Sequence, residues 1–229
     1  MTTLQLISSM ATKSLLADLV ALYQAQTPGV QVRLESVGGV DAAGRVQAGE
    51  AFDGVVLASE AIDKLIASGH VRSGSRVDLV HSGVAVAVPA GQPVPDISTE
   101  AALKAAVLAA PTLGVSTGPS GVQLAKRFKA WGITEHIQGR MVQAPPGVPV
   151  GALVAQGQVA LGFQQLSEMM GVPGITVIGP LPEAVQITTT FSGSVASTSH
   201  EPEAVQALLA FWASPACSPI KVRHGMAAA

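Results

Sequence analysis

Short strand-like runs take turns with Ala- and Leu-rich segments of helical period along most of the chain. Val30-Gln31-Val32-Arg33-Leu34 alternates as a strand, and residues 13–26 place apolar side chains at helical spacing before Pro28 and Gly29. The predicted strands are 4–7, 30–34, 52–58, 77–88, 112–115, 138–143, 159–163, 176–178 and 187–197. The predicted helices are 13–26, 42–48, 60–68, 101–110, 121–131, 150–156, 202–213 and 215–224. This alternation predicts an α/β fold built from βαβ units.

Two β-rich segments are longer than the others, from Val77 to Val88 and from Ile187 to Ser197. Strands of that length can leave one lobe and enter another, so they predict two crossings, near 82 and near 188. We therefore expect lobe I at 1–81 plus 189–229 and an inserted lobe II at 82–188. Each lobe is expected to be a mainly parallel sheet flanked by helices, with the crossings as a hinge and the cleft as the ligand site.

Four polar loops follow predicted strands, at 8–12, 37–41, 116–121 and 143–148. Ligands of open parallel sheets meet the carboxyl ends of the strands, and free N–H groups at helix starts attract anions. The hydroxyl donors in these loops are Ser8, Ser9, Thr12, Ser116, Thr117 and Ser120, and the candidate glycines among them are Gly38, Gly39, Gly118 and Gly121. The loops predict a small anionic ligand, while ordinary turn and cap chemistry remains the alternative for any one of them.

Charged and amide side chains near these loops extend the candidate site. Lys13 begins the first helix and Arg45 lies one turn into the second, although either can be a solvated surface charge. Gln164 and Gln165 come after the predicted strand 159–163, so one of them is expected to face the cleft. Glu168 begins the next helix, where it is either a cap or an acid/base group.

His81 stands beside the first predicted crossing, as a structural hinge residue or a functional one. Asp41 is predicted to cap the helix 42–48. Histidines 70, 81, 136, 200 and 224 are isolated, which disfavours a zinc site, and we expect no metal and no cofactor. Residues 114–118 resemble a nucleophile elbow, but Pro119 follows where a helix would have to run straight on, so serine hydrolysis is disfavoured.

Composition narrows the classes of function. Lys and Arg number 13 against 15 Asp and Glu, so nothing favours nucleic acid as a partner. Charged residues are 12% and hydrophobic residues 48%, which excludes disorder, and no apolar run is long enough to predict a membrane span. The single cysteine, Cys217, cannot form an internal disulfide and is expected to be an inert thiol.

The first 13 residues lack the cationic start and apolar stretch of a signal peptide. Two locations stay open: the periplasm, if a signal segment was removed and Met1 was added, or the cytoplasm. The chain has no heptad pattern and no spare apolar helix face, so we expect a monomer.

Several segments resemble the type II periplasmic binding proteins of the molybdate-binding group. They are Leu6 to Thr12, Gly38-Gly39 before a helix that ends Val46-Gln47-Ala48-Gly49, Phe52-Asp53-Gly54-Val55-Val56, and Pro202 to Met226. The resemblance covers nearly the whole chain and implies the two-lobed fold. By position it implies oxyanion donors near Met10 and Ala11, at Gly38, Gly39 and Val40, and at Ser120, Val148 and Gln165.

Departures from that group bear on the ligand. The group usually has a serine where Ala11 stands, a tyrosine where Gln165 stands, and a small hydroxyl residue where Gly39 or Val40 stands. Without those hydroxyls a compact tetrahedral dianion such as molybdate is disfavoured. Gln165, Arg45 and the hydroxyl loop suit a larger planar polycarboxylate better.

Loops 34–41 and 117–122 are also similar to those of the aconitate isomerase branch of the same superfamily. This resemblance implies an enzyme that moves an allylic proton between the forms of aconitate, and it needs a base. The candidates for the base are His81, Asp41, Glu35 and Glu168, with Lys13 a more distant one. The alternative is a non-catalytic solute-binding protein that delivers a molybdate-type oxyanion or a carboxylate to a membrane ABC importer. An intracellular sensor lobe is a third hypothesis.

Overall fold

The chain forms two compact units. Unit 1 contains Met1–Ser82 and Thr190–Ala229, and unit 2 contains Gly83–Thr189. The structure is a computed structural model that describes residues 1–145 and 147–229. Within those residues, no helix is both long enough and apolar enough to cross a membrane.

Strands and helices alternate along most of the chain. The strands are β1 (Thr2–Ser9), β2 (Val30–Val37), β3 (Gly54–Ala58), β4 (Val77–Pro89), β5 (Leu113–Val115), β6 (Met141–Gln143), β7 (Leu161–Gln165), β8 (Ile175–Pro180), β9 (Thr188–Val195) and β10 (Met226–Ala228). The helices are α1 (Lys13–Gln26), α2 (Gly39–Gln47), α3 (Ser59–Ala67), α4 (Glu100–Ala109), α5 (Pro119–Ala130), α6 (Thr134–Ile137), α7 (Val150–Ala155), α8 (Leu166–Met169), α9 (Pro202–Ala213) and α10 (Ser218–Arg223). Single 3-10 turns cover Met10–Thr12, Gln138–Arg140, Glu183–Val185 and Pro215–Cys217.

The sheet of unit 1 is built on three parallel strands in the order β2-β1-β3. Leu6 of β1 lies opposite Leu34 of β2 on one side and Gly54 of β3 on the other. β9 then pairs with β3 in the antiparallel direction, and β10 pairs the same way with the first part of β4. The parallel strands therefore bring the ends of β1 and β2, at Ser9 and Val37, to one edge of the sheet.

Both faces of this sheet are covered because its strands are apolar on both sides. In β3, Val56 and Ala58 pack in a core with α1 and α9, whereas Val55 and Leu57 pack in a second core with α2 and α3. Such near-continuous apolar runs are typical of strands buried on both faces. With both faces of the sheet covered by helices, the part of the sheet that remains for a functional site is the edge at which the parallel strands end.

Unit 2 repeats this plan with the parallel order β6-β5-β7. The second part of β4 and the whole of β8 add antiparallel pairs, with Ala85 opposite Gln164 of β7. Val84, Val86 and Val88 pack with α4 and α5, while Ala85 and Ala87 pack on the other face with Met169 of α8. α8 follows β7 without a gap, so residues 164–168 turn sharply at the end of a buried strand.

Some predicted boundaries are wrong. Residues 138–140 form a 3-10 turn rather than strand, because the N–H of Met141 donates to the carbonyl of Gln138. Asp41 is not a cap, because α2 begins at Gly39 and Gly38 occupies the cap position.

Candidate functional site

Unit 1 carries a group of small polar residues where β1 and β2 end, which we call the serine cluster: Ser8, Ser9, Ser36, Gly39 and Val40. The hydroxyl oxygens of Ser8 and Ser36 are 2.8 Å apart, as the register of the two strands requires. Ser9 is 6% exposed, and none of the described residues offers a hydrogen-bond partner to its Oγ. A buried hydroxyl without a partner is costly unless a ligand or water completes it.

The serine cluster lies at the start of α2. A Cβ placed on Gly39 would be 3.7 Å from Cβ of Ser9, so the Ser9 hydroxyl stands beside the first helical residue. Gly38, the cap residue of α2, has no side chain with which to cap it, and the first N–H groups of a helix have no partner inside the helix. Those N–H groups and the positive end of the helix dipole favour an anion such as a carboxylate. Val40, the next residue, is 68% exposed.

The neighbouring loop predictions are partly revised. Ser8 and Ser9 end β1 rather than begin a loop, because both continue the parallel pairing with β2. Met10 and Ala11 then lie on the 3-10 turn, with Ala11 buried. Lys13 is the first residue of α1 and is exposed.

Arg45 and Glu35 form an ion pair on the surface of unit 1. The Arg45 guanidinium binds both carboxylate oxygens of Glu35 and also those of Glu50, and it lies over the ring of Phe52. The hydrogen bonds from Arg45 lower the pKa of the Glu35 carboxyl. The lowered pKa makes Glu35 a weaker base. The Arg45 guanidinium is already paired with Glu35 and Glu50.

The other two base candidates of unit 1 lie in different settings. His81 is partly buried, and its Nδ1 lies 2.9 Å from Oγ1 of Thr190. Asp41 is exposed on the first turn of α2, with its carboxylate 3.1 Å from where a Cβ on Gly38 would lie. An acidic side chain in the first turn of a helix is favoured by the helix dipole, which accounts for Asp41 without a catalytic role.

In unit 2, the predicted glycine-rich loop is shorter than expected because α5 begins at Pro119. Ser120 and Gly121 therefore lie in the first turn of the helix, and Gly118 is its cap. The hydroxyl oxygens of Ser116 and Ser120 are 3.1 Å apart, while Thr117 between them is exposed. A Cβ on Gly121 would come within 1.9 Å of the Ser116 carbonyl oxygen, so this close approach requires glycine.

The predicted loop 143–148 is described except for residue 146, which lies outside the described residues. Val148 is 38% exposed, and its N–H donates to the carbonyl of Pro145 at 3.0 Å. That N–H is therefore engaged within the loop itself.

Gln164 and Gln165 end β7 instead of following it, and both are 3% exposed. Their side chains point to opposite faces of the strand. Gln165 donates from Nε2 to Oγ1 of Thr189 at 2.8 Å, and its Oε1 has no partner among the described residues. Gln164 donates from Nε2 to Oε1 of Glu168 at 2.8 Å.

Glu168 is the ionisable group with the most unusual chemistry in unit 2. It lies in α8, is partly buried, and receives the hydrogen bond of Gln164. Burial raises the pKa of its carboxyl to about 7, although the hydrogen bond from Gln164 works in the opposite direction. A carboxylate whose pKa lies near neutral pH has the properties of a general base.

Two polar residues of these surroundings were missed as candidates. Ser36 is opposite Ser8, a pairing that the register of two parallel strands could have shown. Thr189 reaches Gln165 from a position 24 residues further along the chain, and no local signal in the sequence indicates it. Among the described residues, no three side chains of His, Cys, Asp or Glu are grouped so that they could hold a metal ion.

Comparison with known proteins identifies the family. The model of the bacterial extracellular solute-binding proteins matches residues 4–227. The chain belongs to this family. A molybdate-binding protein from the periplasm of Azotobacter vinelandii shares the fold, with a TM-score of 0.77, 18% identity, and coverage of 97% of this chain and 98% of that one. A sulfate-binding protein from Mycobacterium tuberculosis gives a TM-score of 0.81 at 17% identity, covering 99% and 86%.

A closer relative in sequence carries the name of an enzyme. An aconitate isomerase from a Pseudomonas species is 39% identical over 228 residues, which are 93% of this chain and 83% of that protein. The resemblance to the molybdate-binding group and to the aconitate isomerase branch is therefore confirmed, as is the two-lobed α/β fold that it implied. This member of the solute-binding family thus shares its fold with anion-binding proteins and is similar in sequence to an enzyme.

Proposed function

We propose that this chain is an isomerase that interconverts cis- and trans-aconitate by an allylic proton shift. The observation that carries the proposal is the 39% identity with aconitate isomerase across 93% of the chain. The structure adds a carboxyl group, Glu168, whose pKa of about 7 suits the removal of a proton from carbon.

The reaction sets three chemical demands. A base must remove a proton from the CH₂ group beside the double bond, and a proton must return at the other end of the three-carbon unit. The negative charge that develops spreads into a carboxylate, so donors must stabilise it. The substrate carries several carboxylates, so further donors must hold them. No electrons are gained or lost overall.

The residues that we assign to these demands follow from their surroundings. We assign the serine cluster to a carboxylate, because it combines the Ser9 hydroxyl, which has no partner among the described residues, with the first N–H groups of α2, at Gly39 and Val40. In unit 2 the hydroxyl of Ser120, which is 3% exposed, is the donor that we assign to a further carboxylate, whereas Oε1 of Gln165 can only accept and is not assigned to one. The same two regions also contain Ser8, Ser116, Thr117, Gly118 and Gly121.

Glu168 is the base in this proposal. Glu35 is ionised and paired with Arg45, Asp41 is exposed, and His81 is hydrogen-bonded to Thr190. Glu168 combines partial burial with a pKa near the pH at which a cytoplasm or periplasm operates, so it is ionised in part of the molecules and still basic enough to take a proton.

The second candidate is a passive solute-binding protein of an ABC importer, which would take an oxyanion or carboxylate from the periplasm. The fold shared with molybdate- and sulfate-binding proteins favours it. It requires the same donors and no base. Periplasmic residence follows for this candidate, since the family is described as extracellular.

Proton NMR of trans-aconitate in D₂O tests the proposal. Catalytic amounts of the protein should produce the cis isomer and exchange the CH₂ protons for deuterium. Glu168→Gln keeps the size of the side chain and should lower turnover by about 10²–10⁴-fold while aconitate still binds. Glu135→Gln makes the same change at an exposed glutamate of unit 2 and should leave turnover unaltered.

Ser9→Ala addresses the serine cluster separately. It removes one hydroxyl from a place that holds a charge, so affinity for aconitate should fall by about tenfold or more. Line broadening of aconitate without turnover or exchange would contradict the isomerase and support the passive carboxylate binder. Absence of any effect on the aconitate spectrum would contradict both aconitate hypotheses and leave inorganic oxyanions to be screened.

A further inference from the structure

The amide of Gln164 is held at both ends inside unit 2. Its Oε1 accepts the backbone N–H of Gly151, in the first turn of α7, at 3.3 Å. Its Nε2 donates to Oε1 of Glu168 at 2.8 Å. With 3% of its surface exposed, the side chain has little freedom to take another orientation.

These two contacts determine which way the amide faces. A backbone N–H is always a donor, so the Gln164 atom that meets Gly151 must be the carbonyl oxygen. The NH₂ group is thereby directed at Glu168, whose ionised carboxylate can only accept. A hydrogen bond from an amide to a carboxylate favours the ionised form and fixes the plane of the group.

We propose that Gln164 is a positioning residue that acts through Glu168: it holds Oε1 of the carboxylate and leaves Oε2 to take the proton. This inference rests on the proposed role of Glu168 as the base. The sequence predicts that Gln164 or Gln165 contacts the ligand, whereas in this proposal Gln164 contacts Glu168 and acts on the ligand only through that carboxylate. The proton moves from the substrate carbon to Oε2, Glu168 becomes a neutral acid, and the same proton or one from water returns to the far carbon.

The surroundings of Glu168 make Gln164 its main polar neighbour. α8 packs against α7, β7 and β8. Met169 of α8 also packs against Ala85 and Ala87 of β4. The residues 150–155, 161–165 and 175–180, and the unit 2 part of β4 at 83–89, include no ionisable side chain. Glu168 is also the one ionisable residue of α8 itself. The balance between burial and the hydrogen bond from Gln164 therefore governs when Glu168 ionises.

Gln164→Met removes the donor while keeping an unbranched side chain of similar length. We expect the pKa of Glu168 to rise by about one unit, because one hydrogen bond to a charged group is lost. Turnover below neutral pH should then fall by about tenfold, while turnover at pH 9 should change little. Gln164→Glu places a second carboxyl against the first and should raise the pKa further than Gln164→Met does.

The pKa is measured directly by ¹³C NMR of glutamate-labelled protein, with the Glu168 signal assigned by its loss in Glu168→Gln. The acid limb of the turnover profile is measured in parallel. The control is Gln186→Met, which removes a partly buried amide of unit 2 that binds Val84, Ile187 and Leu181 instead of Glu168. It should leave the Glu168 titration where it is in the unaltered protein.

The two readouts separate the two claims. If the Glu168 titration rises in Gln164→Met and not in Gln186→Met, the coupling between Gln164 and Glu168 is supported, whether or not aconitate turns over. If the titration is unchanged in Gln164→Met, the positioning role is wrong even when turnover falls. If the unaltered protein does not turn over aconitate, the proposed function fails by itself, and the titration still decides the coupling.

Discussion

Glu168→Gln is expected to stabilise the protein at alkaline pH. The ordinary pKa of the carboxyl is 4.5, and in the folded state it is about 7. Because the folded pKa is raised, the contribution of Glu168 to stability is complete below pH 4.5 and is lost as the pH rises toward 7. The full difference corresponds to about 3 kcal/mol, and most of it falls between pH 5 and pH 8.

Glutamine at position 168 has nearly the same shape, carries no proton equilibrium, and keeps an oxygen for the Gln164 donor. The free energy of unfolding of Glu168→Gln should therefore exceed that of the unaltered protein by about 2–3 kcal/mol more at pH 8 than at pH 5. Such a gain from removing a functional group is the usual trade between stability and activity.

Urea unfolding at the two pH values measures this difference, followed by circular dichroism and by tryptophan fluorescence. Glu135→Gln is the control for the loss of one negative charge at an exposed site. A stability difference between Glu168→Gln and the unaltered protein that is the same at pH 5 and pH 8, or that grows toward acid, would refute a raised pKa of Glu168 in the folded state.

The remaining predictions concern packing. Gly121→Ala should unfold at a markedly lower temperature than the unaltered protein, because the added Cβ would lie 1.9 Å from the Ser116 carbonyl oxygen. Gly139→Ala is the control and should keep the melting temperature of the unaltered protein, because nothing lies within 4 Å of the added Cβ. Equal melting temperatures for the two variants would contradict this prediction. Leu209→Ala, at a buried position in α9, should cost about 2–5 kcal/mol in urea unfolding. Leu108→Ala, at a position in α4 that is 39% exposed, should lower the free energy of unfolding much less. A similar loss in both variants would show that burial does not determine the cost of the truncation.

Helices whose apolar spacing and stop signals agree could be predicted from the sequence. α1 spans the predicted residues, Lys13–Gln26, and α9 likewise spans Pro202–Ala213. In each, apolar side chains recur at helical spacing and the core of unit 1 receives them. Local preference and packing point the same way in these segments, and no distant contact has to override the pattern.

The end of β7 shows why the candidate site was harder to predict. Gln164 and Gln165 are polar, so the strand was expected to finish at 163. Pairing with β4 extends it to Gln165, and Gly151 and Thr189 satisfy the two amides. Those partners come from other elements, and the sequence near 164 holds no sign of them. The same is true of Glu168, whose residue type was noticed but whose raised pKa depends on burial by the fold.

Unit 1 is assembled from two parts of the chain that are separated by all of unit 2. Its strand β3 needs β9 as a neighbour, and the hydroxyl of Ser199 reaches the carboxylate of Asp53 across 146 residues of sequence. As the chain leaves the ribosome, unit 2 can close its own core while the first 82 residues still present an unpaired edge of β3. Unit 1 can therefore complete its sheet only after residues 190–229 have been synthesised, although its first strands are made before unit 2.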